Sequence, residues 1–178
     1  MNWLKRMIFV TGISASAYTI FSSLMARQLV MLHQVTCDET PSSVGLTYES
    51  VNFEPRGSDI ELSGWIVLPP SSEFNTVLGK WLVMLHGFGK CKGDSSIGML
   101  QLARDLNLRG YGLFLMDLRG SGHSQGDLQS VGYYERLDLL GALDFLAHRG
   151  IPRQNTGVIG FSLGGAVAIS TCANPNTA

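Results

Sequence analysis

The sequence predicts an α/β fold in which parallel strands alternate with helices covering both faces of the sheet, led by an antiparallel hairpin. Three observations predict it. Short continuous apolar runs recur between helix-period segments, the pattern of strands buried on both sides. The stretch before them alternates apolar and polar positions around a turn, as a hairpin does. Glycine makes up 21 of the 178 residues, against a usual share of roughly 7%, and the glycines gather where the apolar runs end.

The chain opens on an uncharged run over residues 7–26, preceded by Lys5 and Arg6 and followed by Arg27. About 20 residues of helix cross a bilayer core, so the expectation is a single-pass N-terminal anchor over residues 1–32. The positive-inside bias then places the following domain on the non-cytoplasmic side. Thr11, Ser14, Ser16, Thr19, Ser22 and Ser23 dilute the run. Two alternatives therefore stay open: a signal peptide cleaved at Ala15-Ser16-Ala17 and exported, or a helix packed on the body. Residues 33–46 read as a polar linker and residues 47–178 as the domain.

In the domain, Val51 and Phe53 alternate with Glu49, Asn52 and Glu54. After the turn chemistry of Pro55-Arg56-Gly57-Ser58-Asp59, the residues Ile60, Leu62, Gly64, Ile66 and Leu68 share one face of a second strand. Pro69-Pro70 ends it. Trp81-Leu82-Val83-Met84-Leu85 is the first fully apolar strand. Asp94-Ser95-Ser96 is suited to cap a helix with Met99, Leu102, Ala103 and Leu106 on one face, stopped by Gly110. Residues 111–116 form the next strand, and residues 131–148 a second helix closed by Gly150 and Pro152. Val158-Ile159 opens a third strand, followed by a helix over 164–173. Such alternation implies parallel strands with right-handed crossovers.

Composition narrows the function. Thirteen basic and 14 acidic residues leave a net charge of −1 without a basic run, which argues against nucleic acid as the partner. Hydrophobic residues at 45% exclude a disordered chain. Charged residues are 15%, below the roughly 25% of an average domain, so the body buries much of its surface. Cys37, Cys91 and Cys172 stand at unrelated spacings, which predicts neither a zinc site nor a disulfide framework. Cys91, between Lys90 and Lys92, reads as a small loop residue beside charges that favour a thiolate. No Walker or H-E-x-x-H sequence appears, and no metal or cofactor is expected.

The glycine clusters fall at the carboxyl ends of the predicted parallel strands, where such sheets bind ligands. Gly160-Phe161-Ser162-Leu163-Gly164 is a G-x-S-x-G pentapeptide between a buried strand and an apolar helix. On so sharp a turn the serine is strained and exposed, and its neighbours two positions away must be small for the chain to close. Ser162 then stands at a helix N-terminus, with the Leu163 N–H directed at an oxyanion forming beside it. The plainer reading is a serine helix cap flanked by turn glycines. Asp117-Leu118-Arg119-Gly120-Ser121-Gly122-His123-Ser124 misses a dinucleotide fingerprint, because position 125 is Gln and Gly126 comes one place late.

With His86-Gly87-Phe88-Gly89 after the first buried strand, these motifs resemble the α/β-hydrolase superfamily, in its lysophospholipase and serine aminopeptidase-like branches. The resemblance runs from about Tyr48 to the end. It implies the α/β-hydrolase fold and acyl transfer through Ser162 to an ester, thioester or peptide carbonyl of a small-molecule, lipid or peptide substrate. It also implies Phe88 N–H and Leu163 N–H as the oxyanion hole. His86, Gly87, Asp117, Arg119, Gly120, Gly122, Gly160 and Gly164 become structural motif residues.

In that family the acid and the histidine follow the serine, yet no Asp, Glu or His follows Ser162 here. His33, His86, His123 and His148 all precede it. The expectation is the N-terminal portion of a longer hydrolase, inactive as 178 residues alone. The alternative is a non-catalytic protein of the same fold that at most binds a ligand or partner.

Overall fold

The computed structural model describes residues 3–30, 35–70 and 79–173. Its elements are α1 (Trp3–Val30), β1 (Glu49–Phe53), β2 (Leu62–Val67), β3 (Trp81–Leu85), α2 (Met99–Leu108), β4 (Gly112–Met116), α3 (Glu135–His148), β5 (Thr156–Gly160) and α4 (Leu163–Cys172). The five strands form one sheet in the order β1-β2-β4-β3-β5. β1 and β2 are an antiparallel hairpin with Val51 opposite Gly64, and β2 is antiparallel to β4. β4, β3 and β5 are parallel, with Val83 level with both Phe114 and Val158.

The period of two along each strand divides the core into two layers. Val83, Leu85, Phe114 and Met116 face α3 and α4, where they meet Leu139, Leu146, Leu163 and Val167. Met84, Leu113 and Leu115 point the other way, against Met99, Leu100 and Ala103 of α2. β3 and β4 therefore need apolar residues at every position, which is why both read as unbroken runs. β5 has β3 as its one partner among the described residues, and none of its residues is fully buried.

Four expectations need correction. The helix expected over 131–148 starts at Glu135, because Val131 and Gly132 hold φ of 55° and 104°, which no α-helix accepts. Asp94 caps only a 3-10 turn over Ser95–Ile97, through Oδ1 accepting the Ser96 N–H at 3.0 Å. Gly98 at φ 64° then resets the chain before α2.

The third correction concerns cysteine. Cys37 and Cys91 are joined in a disulfide with Cα atoms 5.9 Å apart, while Cys172 is free and exposed. Unrelated spacing concealed it, since the fold brings together residues 54 apart. The fourth is the linker expected over 33–46, whose described part, residues 35–46, lies on the domain. The Val35 carbonyl accepts the Gly122 N–H at 3.1 Å, Pro41 opens a 3-10 turn, and Leu46 is in the core.

The expected N-terminal anchor falls on α1. α1 is a helix of 28 residues, but no helix among the described residues is long and apolar enough to cross a membrane. Ser16 and Thr19 each donate back to the carbonyl four residues earlier, at 2.9 Å.

Candidate active site

Three loops converge at the carboxyl edge of β3, β4 and β5. The Phe161 N–H donates to the Leu85 carbonyl at 3.0 Å, which carries the β3–β5 pairing one step beyond the strand. The next residue, Ser162, turns sharply to φ 50° and ψ −112°. Such a backbone in a non-glycine residue costs on the order of 1–3 kcal/mol and persists only where its surroundings impose it. Here they do. A Cβ on Gly160 would lie 2.2 Å from the Gly164 backbone, and one on Gly164 would lie 2.6 and 2.7 Å from the Leu85 and His86 carbonyl oxygens. The turn closes because both positions lack a side chain. Ser162 itself is exposed, with its hydroxyl at the first turn of α4.

The loop after β3 lies beside it. A Cβ built on Gly87 would stand 3.5 Å from the Ser162 Cβ, so this loop passes at van der Waals distance from the serine. Among the described residues, neither the Phe88 N–H nor the Leu163 N–H donates to any protein acceptor. Two unpaired amide donors therefore stand on the chain segments flanking Ser162, a pair suited to an anionic oxygen.

His86 is fully buried and sets the loop's shape. Its Nε2 accepts the Leu118 N–H at 3.0 Å, which leaves Nδ1 as the donor to the Gly87 carbonyl at 2.7 Å. Gly87 C=O and Phe88 N–H belong to one planar peptide and point in opposite directions. Holding the carbonyl toward the imidazole thus aims the Phe88 N–H away from it. Burial holds the His86 pKa below its ordinary 6.5, against the hydrogen bond to Gly87 that would raise it. With both nitrogens committed, this imidazole has none to offer a serine. His123 is exposed, and its backbone N–H donates to Asp117 Oδ2 at 3.0 Å. His148 ends α3, at the opposite edge of the sheet, in a cavity of about 470 Å³ shared with Asn52 and Glu54. His33 lies outside the described residues.

The loop after β4 is held by two buried ion pairs. Asp117 accepts the Lys92 N–H at 2.7 Å on Oδ1 and the Lys92 ammonium at 2.5 Å on Oδ2. A Cβ on Gly122, at φ 53°, would strike that carboxylate at 2.0 Å. Gly120, at φ 69°, turns the loop, its N–H donating to the Gln125 carbonyl at 3.0 Å. Arg119 donates from its backbone N–H, Nε and Nη2 to the Asp138 carboxylate of α3, at 3.0, 2.9 and 2.6 Å. Burial pushes the Asp138 pKa up to about 6, with the Arg119 hydrogen bonds opposing it.

Lys92, Gln129, Glu135, Asp138 and the Cys37–Cys91 bridge were not found from sequence. Glu135 left a trace, an acidic residue in the first turn of a helix. Lys92 misled: rather than flanking a reactive thiol, it turns inward, its ammonium on Asp117 and 4.6 Å from the Trp65 ring centre.

No curated protein matches the chain. Among solved structures it is similar to the Pyrococcus furiosus esterase Pf2001, at 26% identity and a TM-score of 0.69, over 82% of this chain and 55% of that one. It is also similar to the alpha/beta hydrolase GrgF from Penicillium sp. sh18 (23%, TM-score 0.62, 74% and 43% of the two chains). Est1E from Butyrivibrio proteoclasticus, solved with ferulic acid, matches at 18% and 0.56, over 67% and 45%. The chain thus spans about half the length of these structures. A family model for the alpha/beta hydrolase fold matches residues 80–176, which include the strained serine, both buried ion pairs and all three parallel strands. On that match and that sheet, this chain belongs to the α/β-hydrolase fold family.

Proposed function

We propose that the chain holds the nucleophile half of a serine hydrolase acting on an ester, thioester or peptide bond. The observation that carries this reading is Ser162, strained at φ 50° and exposed, between the unpaired amides of Phe88 and Leu163. Its Oγ attacks the substrate carbonyl carbon while its proton passes to a base. The carbonyl oxygen takes the negative charge against the two N–H groups. Collapse expels the leaving group and leaves an acyl-enzyme, which water hydrolyses. The base and its acid partner come from sequence following residue 178. This rests on the commitment of both His86 nitrogens and on the 55% coverage of the Pf2001 chain.

The Cys37–Cys91 disulfide supports a domain residing in an oxidising, non-cytoplasmic compartment. The test of function is a fluorophosphonate probe on the native protein, expected to label Ser162 and to leave Ser162→Ala unlabelled. The 178-residue chain purified alone is expected to show no p-nitrophenyl ester turnover. Turnover by that chain, abolished by Ser162→Ala, would overturn the assignment of the base to later sequence. A native protein that resists the probe would favour a non-catalytic member of the fold.

A further inference from the structure

Gln129 is fully buried, and its two amide ends face two different loops at the carboxyl edge of the sheet. Its Oε1 accepts the Gly89 N–H at 3.1 Å. Its Nε2 donates to Ser121 Oγ and, more weakly, to the Arg119 carbonyl at 3.5 Å. Ser121 and Arg119 sit in the turn fixed by the buried ion pairs, so one end of Gln129 is anchored on a rigid part of the fold.

Gln129 is also held from behind. The Glu135 carboxylate, at the start of α3, accepts the Ser130 N–H at 2.5 Å, the Ser130 hydroxyl at 2.7 Å and the Gly132 N–H at 2.7 Å. Those three bonds impose φ 55° on Val131, a strained value for a β-branched residue. Strain maintained by a fully buried carboxylate next to Gln129 means that this turn has one conformation to offer.

The consequence falls on Phe88. His86 pins the peptide between Gly87 and Phe88 through its carbonyl. Gln129 pins the next peptide, between Phe88 and Gly89, through its N–H. A peptide flips only when the residues beside it rotate in compensation, and here the planes on both sides of the Phe88 Cα are fixed by buried side chains. We infer that Gln129 is a positioning residue that locks the Phe88 backbone, and so the amide that the proposed mechanism uses for the oxyanion, in one orientation. The link to the oxyanion rests on the hydrolase reading above; the locking of Phe88 does not.

Two variants in the native protein test this. Gln129→Met keeps the length and removes the acceptor, whereas Gln129→Glu keeps an oxygen for Gly89. Amide hydrogen exchange at Gly89 is expected to rise roughly tenfold in Gln129→Met, the scale of one lost hydrogen bond. Exchange in β4 and α3 stays at wild-type rates in Gln129→Met, and Gln129→Glu, which keeps the Gly89 acceptor but loses the donor to Ser121 and Arg119, raises Gly89 exchange less than Gln129→Met does. On a p-nitrophenyl ester, Gln129→Met is expected to lower kcat about 10–100-fold, less than loss of a whole oxyanion donor, with KM within about twofold. Unchanged Gly89 exchange would overturn the inference, as would a rise spread over the whole molecule. A local rise with unchanged kcat would overturn the oxyanion link. If wild type is inert to substrate and probe while the local rise and its smaller size in Gln129→Glu persist, the hydrolase reading fails and the locking of Phe88 stands.

Discussion

At the scale of single residues, the site depends on atoms that are missing as much as on those present. Gly164 lies between two backbone oxygens, 2.6 and 2.7 Å from where a Cβ would be, and neither can withdraw without breaking β3. Gly164→Ala is therefore expected to cost about 1–3 kcal/mol, read as a lower urea midpoint. Gly165→Ala, whose Cβ would meet the Gly160 carbonyl oxygen at 3.1 Å, should cost less. Equal midpoints for the two would refute the packing argument. His86 carries a second prediction, on pH. Its folded pKa is lowered from 6.5 by burial, so its contribution is whole above pH 6.5, where folded and unfolded chains are both neutral. As the pH falls below 6.5 the unfolded chain gains a proton that folded His86 does not take, and that contribution is lost. The slope is at most about 1.4 kcal/mol per pH unit. Asp138, at about 6 when folded against 3.8, acts oppositely. Between those values the folded state holds the extra proton, and stability falls as the pH rises. Comparing wild type with His86→Gln from about pH 8 to pH 5 cancels the Asp138 effect. The wild type is expected to lose more stability on acidification, and parallel profiles would contradict the neutral, doubly bonded imidazole.

At the scale of elements, the Lys92–Asp117 pair joins the loop after β3 to the loop after β4. Both residues are buried, and Ser63 Oγ accepts from the ammonium at 3.0 Å. Removing one partner leaves an uncompensated charge, so Lys92→Met is expected to cost about 3–5 kcal/mol. Lys92→Met/Asp117→Asn should recover part of that loss in urea unfolding, whereas simple addition of the two single losses would mean that the pair is not coupled. These elements also show what sequence discloses. β3 and β4 were legible because burial on both faces demands an unbroken apolar run. Ser162, Gly160 and Gly164 were legible because the strand-to-helix turn is contiguous in the chain. The starts of α2 and α3 were not, since positive φ at Gly98, and at Val131 and Gly132, breaks the backbone where the apolar pattern runs on. Lys92, Gln129 and Asp138 were hidden for a different reason: each works through a partner 25, 40 or 19 residues away. Nothing local in composition or period marks such a pairing.

Across the whole molecule, the chain before the sheet is tied to the site after it. Residues 35–39 cross both loops at the carboxyl edge. The Val35 carbonyl accepts from Gly122, Cys37 is bonded to Cys91, and the Gly93 N–H lies 3.2 Å from Cys37 Sγ. A side chain on Gly93 would meet the Glu39 carbonyl oxygen at 2.8 Å, so the strap sits directly on the loop that holds Phe88 and Lys92. Closing a loop of 54 residues restricts the unfolded chain and stabilises the fold by about 2–4 kcal/mol. Reduction is expected to remove that amount and to loosen the strap before the sheet, because β3 and β4 are held by apolar layers that the disulfide does not touch. The measurement is a urea midpoint with and without reductant for wild type, Cys37→Ser and Cys172→Ser. Wild type and Cys172→Ser should fall together on reduction to the level of Cys37→Ser, which should not respond. Hydrogen exchange should then rise first over residues 35–39 and 89–93. A Cys37→Ser midpoint equal to that of the oxidised wild type would show that the strap is held by its hydrogen bonds alone.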